Sequence, residues 1–285
     1  MSSAVLCQLA AGFFSELKKF GGFPFATDRI LFWCILAAVL AACVGAFRSS
    51  AVRALFRREL SAYFLSPIAY VVLTVFVLIA SIVFNMMVLR GRINEVSPVI
   101  NFMCIMMIFI SPVLTMRLFA EESRSGTIEV LMTAPITDVQ VVVAKYFAAL
   151  FFYAFLFLPS LAYPAVLCWL GAPDEGAVFA AYVGALLVGA VFLSVGILIS
   201  SLTSNQIVAA VAGIIFLFLL CIAGNFVPTG THWVHHTLRY LSIFGHLENL
   251  QMGVMDTRDL IFFVSMSVFF LFLTVRSVES RKWRL

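Results

Sequence analysis

The chain has 285 residues, of which 63% are hydrophobic and only 11% charged, with a formal net charge of +4. Soluble domains carry roughly 45–50% apolar and about 25% charged residues, so the composition excludes an ordinary soluble domain and predicts an all-α integral membrane protein. The long charge-free runs do not alternate apolar and polar residues at period two, which excludes a β-barrel.

A spanning helix needs about 20 apolar residues, because hydrocarbon cannot satisfy backbone polar groups. The first charge-free run, residues 30–47, predicts a span within an N-terminal extension, residues 1–51. As an extra span it would put Lys18, Lys19 and Arg29 on the far side, and the extension has no small-residue cleavage site of a signal peptide. Two expectations stand for it: a genuine seventh helix, or a natural start at Val52 read from a GUG codon. The latter gives VRALFRRELSAYFLSP as a basic, amphipathic beginning.

Residues 52–285 then form a six-span domain. Its spans are predicted at 67–89, 98–116, 146–170, 177–202, 207–227 and 260–275. The charge-free run 176–238 is too long for one span and is divided by Ser200, Ser201, Thr203, Ser204, Asn205 and Gln206. The last span has only 16 uncharged residues, so Asp259 and Arg276 are expected at the interfaces. One side of this core carries Arg53, Arg57, Arg58, Arg117, Arg124, Lys145, Arg276, Arg281, Lys282 and Arg284; the other carries only Arg90, Arg92, Arg239 and Arg258. The positive-inside rule makes the first side, with the C-terminus, cytoplasmic.

Between the second and third core spans lies an island of charge and turn chemistry, TMRLFAEESRSGTIEVLMTAPITDVQVVVAK. Ile128, Leu131 and Met132 recur at i, i+3, i+4 beside Glu129, which predicts a short apolar helical face. Ala134-Pro135 ends it, since the residue before proline avoids the helical region. Thr137 and Gln140 have capping-box spacing and start the next helix, which carries Lys145 into the membrane. The periodicity alone is also that of an ordinary ordered loop.

Neither a G-x-x-x-x-G-K-[ST] phosphate loop nor a G-x-G-x-x-G after a strand is present, so any ATP dependence must come from a partner. No Asp, Glu, Lys or Arg falls in mid-span, against a secondary transporter. Asn85 and Asn101 are expected to hydrogen-bond between helices. Five cysteines lie in apolar runs and Cys7 stands in the extension, with no disulfide or metal pattern. Ala180, Gly184, Gly189, Gly196 and Ser200 place small residues along the fourth core span, for packing within the chain or for a dimer interface. His232, His235 and His236 at i, i+3, i+4 lie in an external segment, residues 228–258, with His246, Trp233 and Tyr240. An interfacial half-helix fits this segment better than a zinc site, which lacks further ligands.

RRELSAYFLSPIAY, followed by TMRLFAEESRSGTIEVLMTAPIT and VVVAKYFAAL, resembles the permease subunits of type 2 ABC exporters, most closely the branch named for bacterial gliding motility. The resemblance runs from about Val52 to the C-terminus; residues 1–51 depart from it. It implies a non-catalytic, six-span permease half in a bacterial inner membrane. That half pairs with a second one, as a homo- or heterodimer, and with cytoplasmic ABC ATPase subunits that bind the ATP and Mg. No cofactor in this chain and no nucleic-acid partner are implied.

By the same resemblance, the cytoplasmic loop 117–145 carries a coupling helix that docks on the ATPase. Its residues are Glu121 and Glu122, Gly126 and Thr127 at the helix entrance, and Ile128, Glu129, Leu131, Met132 and Pro135. Residues 49–66 become a connecting helix on the membrane surface, with Arg53, Arg57 and Arg58 toward lipid headgroups. Two other readings remain: a structural or anchoring subunit of a motility or envelope complex, and a membrane-embedded enzyme on lipid-linked substrates. The enzyme would draw its acid or base from His232, His235, His236, Glu248 or Asp256.

Overall fold

The computed structural model describes residues 49–91, 95–127, 136–171, 173–222, 242–253 and 256–282, all within the unit Ala42–Leu285. The N-terminal span, the docking residues Ile128, Glu129, Leu131, Met132 and Pro135, and His232, His235 and His236 lie outside the described residues.

Every described element is a helix. In chain order they are α1 (Ser50–Leu65), α2 (Pro67–Leu89), α3 (Ser97–Ser125), α4 (Asp138–Phe157), a 3-10 turn (Leu158–Leu161), α5 (Ala162–Leu170), α6 (Glu175–Leu202), α7 (Gln206–Ile222), α8 (Ile243–Gln251) and α9 (Thr257–Lys282). Five segments are long and apolar enough to cross a membrane: α2, α3, the stretch Asp138–Leu170, α6 and Thr257–Ser280. The apolar α7, with 17 residues, holds the place of the predicted span 207–227.

Two boundaries differ from the charge-free runs. The span predicted to end at Met116 continues as α3 through Ser125, so Arg117, Glu121, Glu122 and Arg124 are helical rather than part of a loop. Charge ends the charge-free run but neither the helix nor its burial, which continues through Leu118, Phe119 and Ala120, and Arg117 Nε pairs with Glu121 Oε2 one turn on, at 3.2 Å. The helix stops only at Gly126, whose φ of +73° is the left-handed C-cap conformation that glycine adopts without a Cβ penalty. The third core span starts at Asp138, well before the predicted residue 146, because the Thr137–Gln140 capping box forms in both directions. It is broken midway at Leu158–Leu161, where Pro159 supplies no N–H to an α-helical ladder.

The bundle is built around α6, which packs against α3, α9, α7, α8 and α4. Its small residues make this possible. A Cβ on Gly189 would lie 2.1 Å from Tyr153 Cζ, and one on Gly196 would lie 2.2 Å from Thr115 Oγ1. Gly184 is covered by Leu247 and Leu250 of α8. Ser200 Oγ accepts from the Phe119 and Ala120 amides and donates to the Met116 carbonyl, joining α6 to α3. The small-residue face is therefore filled by the chain's own side chains, which leaves it no role in lining a dimer.

Helix α2 stands at the other extreme. Only 17% of its apolar window is buried, against 67% for α6, so most of its side chains are exposed on the surface of the chain. Asn85 on α2 is exposed. Asn101 does not make the expected bond through its oxygen, since Oδ1 is buried without a partner among the described residues.

Candidate functional site

On α1 the buried residues are Val52, Leu55, Glu59 and Tyr63, spaced i, i+3, i+7, i+11 as a single helical stripe. Apolar burial pulls that stripe onto α4, where Tyr63 stacks on Phe152 with ring centroids 5.0 Å apart. The Tyr63 hydroxyl donates to the Leu114 carbonyl of α3 at 2.9 Å. Burial, with the Glu59 carboxylate nearby, pushes the Tyr63 pKa up, so this hydroxyl keeps its proton. The packing that buries Tyr63 also carries Glu59 inside.

Lys145 meets Glu59 there. It sits on α4 among the buried Val141, Val142, Ala144, Ala148 and Ala149, and its side chain is fully enclosed. The ammonium Nζ lies 3.1 Å from Glu59 Oε1 and 2.9 Å from Glu122 Oε1, and donates to the Leu118 carbonyl at 2.7 Å. These are three acceptors for three N–H donors. The Phe119 ring, with its centroid 5.2 Å away, covers a further side. Arg58 Nη2 bridges the same carboxylates, 2.8 Å from Glu59 Oε1 and 2.7 Å from Glu122 Oε1. Partial burial alone would lower the Arg58 pKa; Glu59 and Glu122 outweigh it and raise the value.

The cluster holds two cations and two carboxylates, so its charges balance. Burying such groups costs more than a surface pair returns unless each is matched, and removing one member leaves an uncompensated charge. Arg117 adds an outer tie, its Nη1 donating to Ser66 Oγ at 3.0 Å where α1 meets α2. Three helices that are distant in sequence are thus pinned at one point: α1 by Glu59, α3 by Glu122 and α4 by Lys145. Helices α3 and α4 are the two that flank the loop.

The expected docking residues divide accordingly. Glu121 is partly exposed and paired with Arg117, whereas Glu122 is turned inward with one oxygen, Oε2, lacking a hydrogen-bond partner among the described residues. Gly126 ends α3, the backbone is helical again at Thr127, and Thr127 Oγ1 lies 2.9 Å from Ser125 Oγ. Arg53 and Arg57 are exposed, as expected for headgroup-facing residues, but the Arg58 guanidinium is held by the two carboxylates. Glu59, Tyr63 and Lys145 are absent from the sequence-derived site. The available signal was a carboxylate in mid-stripe on α1 and a lysine on the apolar face of α4, each meaningless without the other.

At the opposite end of α6, His246 Nδ1 lies 2.5 Å from Asp259 Oδ1, and Asn249 Nδ2 donates to Asp259 Oδ2 at 3.2 Å. His246 also stacks on Phe262. This ties α8 to the start of α9. Of the residues weighed for catalysis, Glu248 is exposed and Asp256 accepts from the Arg258 amide at the start of α9. Among the described residues no group of three or more His, Cys, Asp or Glu is arranged to hold a metal.

No curated protein matches the chain. The family model described as ABC-2 family transporter protein matches residues 93–276, more than half of the sequence, and includes Glu122 and Lys145. With its multiple apolar helices, all-α architecture and this match, the chain belongs to the ABC-2 transporter family as a multi-pass membrane permease.

Proposed function

We propose that this permease is one half of an ATP-driven exporter in a bacterial inner membrane, nearest to the gliding-motility branch, with its C-terminus in the cytoplasm. It pairs with a second half and with cytoplasmic ATPase subunits that bind the ATP and Mg. Residues 128–135 dock on the ATPase through Ile128, Glu129, Leu131 and Met132, with Gly126 and Thr127 setting the direction in which the chain leaves α3 and Pro135 ending the docking face.

The observation that carries this reading is the buried Lys145–Glu122–Glu59 cluster. It clamps both flanks of the loop to each other and to α1. A displacement imposed on residues 126–137 then moves three helices together, which is what a rigid-body switch between inward- and outward-facing states requires. A loop hung between loosely packed helices would absorb the same motion.

The test is paired. Glu129→Arg or Gly126→Pro, in the tagged chain purified from its native membranes, should lose the co-purifying ATPase subunit while the chain still inserts. Glu59→Gln with Lys145→Met should keep the subunit and its ATP hydrolysis but lose transport. Unchanged ATPase association in the first pair would remove the docking role, and a structural or anchoring subunit would be the better description.

A further inference from the structure

We propose that the flank of α1 turned away from the ion cluster, together with the apolar cleft beneath it, is a binding site for an anionic phospholipid of the adjacent leaflet. The inference rests on the membrane assignment and not on docking or transport.

At 3.6 residues per turn, Phe56, Leu60, Arg53, Phe64 and Arg57 lie along one flank of α1, while Arg58 lies on the other. Arg58 is taken up by Glu59 and Glu122. Arg53 and Arg57, one turn apart, are exposed and make no ion pair among the described residues. Between them, Phe56 packs edge-on against Phe151 with centroids 6.4 Å apart. Phe56 also forms the rim of a cleft of about 490 Å³, whose walls are Phe147, Phe151 and Ala154 of α4 and Leu186, Leu187 and Ala190 of α6.

The cleft walls carry no charged or hydrogen-bonding side chain, so its occupant there is hydrocarbon. Residues 147–154 cover about 10 Å along α4, which keeps the cleft within one half of a hydrocarbon core about 30 Å thick. Two guanidiniums without an ion pair among the described residues stand on the helix that supplies the rim. An acyl chain in the cleft with a phosphate against Arg53 and Arg57 satisfies both features at once. A neutral surfactant tail leaves the cations unmatched, and a free phosphate leaves the cleft empty.

The full chain is reconstituted in vesicles of phosphatidylcholine containing a minor share of phosphatidylglycerol, extracted in mild detergent, and its retained lipid read by native mass spectrometry. Wild type is expected to keep one phosphatidylglycerol, enriched on the order of tenfold or more over its share of the vesicle, from two surface cations acting on an anionic headgroup. Arg53→Gln with Arg57→Gln should abolish the enrichment while a lipid is still retained; both changes are at exposed positions. Ala154→Trp, filling the cleft, should release lipid of either headgroup. Retention without headgroup preference in wild type, or a preference unchanged in the double arginine variant, overturns the proposal. So does a wild-type chain that keeps no lipid and elutes as a dimer that Ala154→Trp dissociates, which gives the cleft to a second copy.

Discussion

The two ends of the central helix α6 are closed by different means. At the α1 end, Glu59, Glu122 and Lys145 come from three helices and meet around one ammonium. At the other end, His246, Asn249 and Asp259 come from neighbouring stretches and join a short helix to the next. The first tie joins three helices that are distant in sequence; the second joins two that are neighbours in it. The proposed export role would draw on that asymmetry, with the α1 end held by the larger cluster.

Stability measurements can break this comparison. Lys145→Ala should have the largest effect, about 3–5 kcal/mol, since it strands two buried carboxylates with Arg58 as their remaining cation. It is read as a fall in the thermal unfolding midpoint in detergent. Asp259→Asn should cost less, about 1–3 kcal/mol, by weakening its hydrogen bonds with His246 and Asn249 while it removes the charge at that position. If the order is reversed, the α1 end is not the stiffer one.

Gly126→Ala forces a Cβ into the left-handed region and should cost about 1–2 kcal/mol, although nothing lies within 4 Å of the position. The penalty should appear with little change in packing probes such as near-ultraviolet dichroism. Thr137→Ala removes one half of the capping box and should cost about 1 kcal/mol. Both changes act on the loop's two ends, and a Thr137→Ser variant near wild type would tie the second effect to the hydroxyl. A double-mutant cycle on Glu59→Gln and Glu122→Gln sharpens the picture further: residues sharing one ammonium should be non-additive by roughly 0.5–3 kcal/mol.

Much of the fold was legible because hydrophobicity is its main determinant. Charge-free runs located the five membrane-length segments and the shorter apolar α7, and the small residues on α6 announced a close-packed helix. The Thr137–Gln140 spacing announced the helix start that the structure contains. Boundaries failed where charge and helix end were equated: α3 runs nine residues past Met116 because only Gly126 breaks its ladder.

The ion cluster was not legible. Glu59, Glu122 and Lys145 have no spacing relation in the chain, and each alone reads as an interfacial charge. Their meeting depends on α1 folding back over the α3 and α4 termini, which is a tertiary fact. Lys145, counted as a surface cation in the charge balance, is instead fully enclosed.

In the proposed function the loop between α3 and α4 receives force from an ATPase. Its most direct measurement is purification of the tagged chain from native membranes with assay of the eluate for ATP hydrolysis and for a subunit carrying a phosphate-loop motif, in wild type and in Glu129→Arg. The account predicts that wild type brings down that subunit with its activity, and that Glu129→Arg, present in the membrane at the wild-type level, loses both. Equal recovery of the subunit and its ATP hydrolysis with both chains would contradict it.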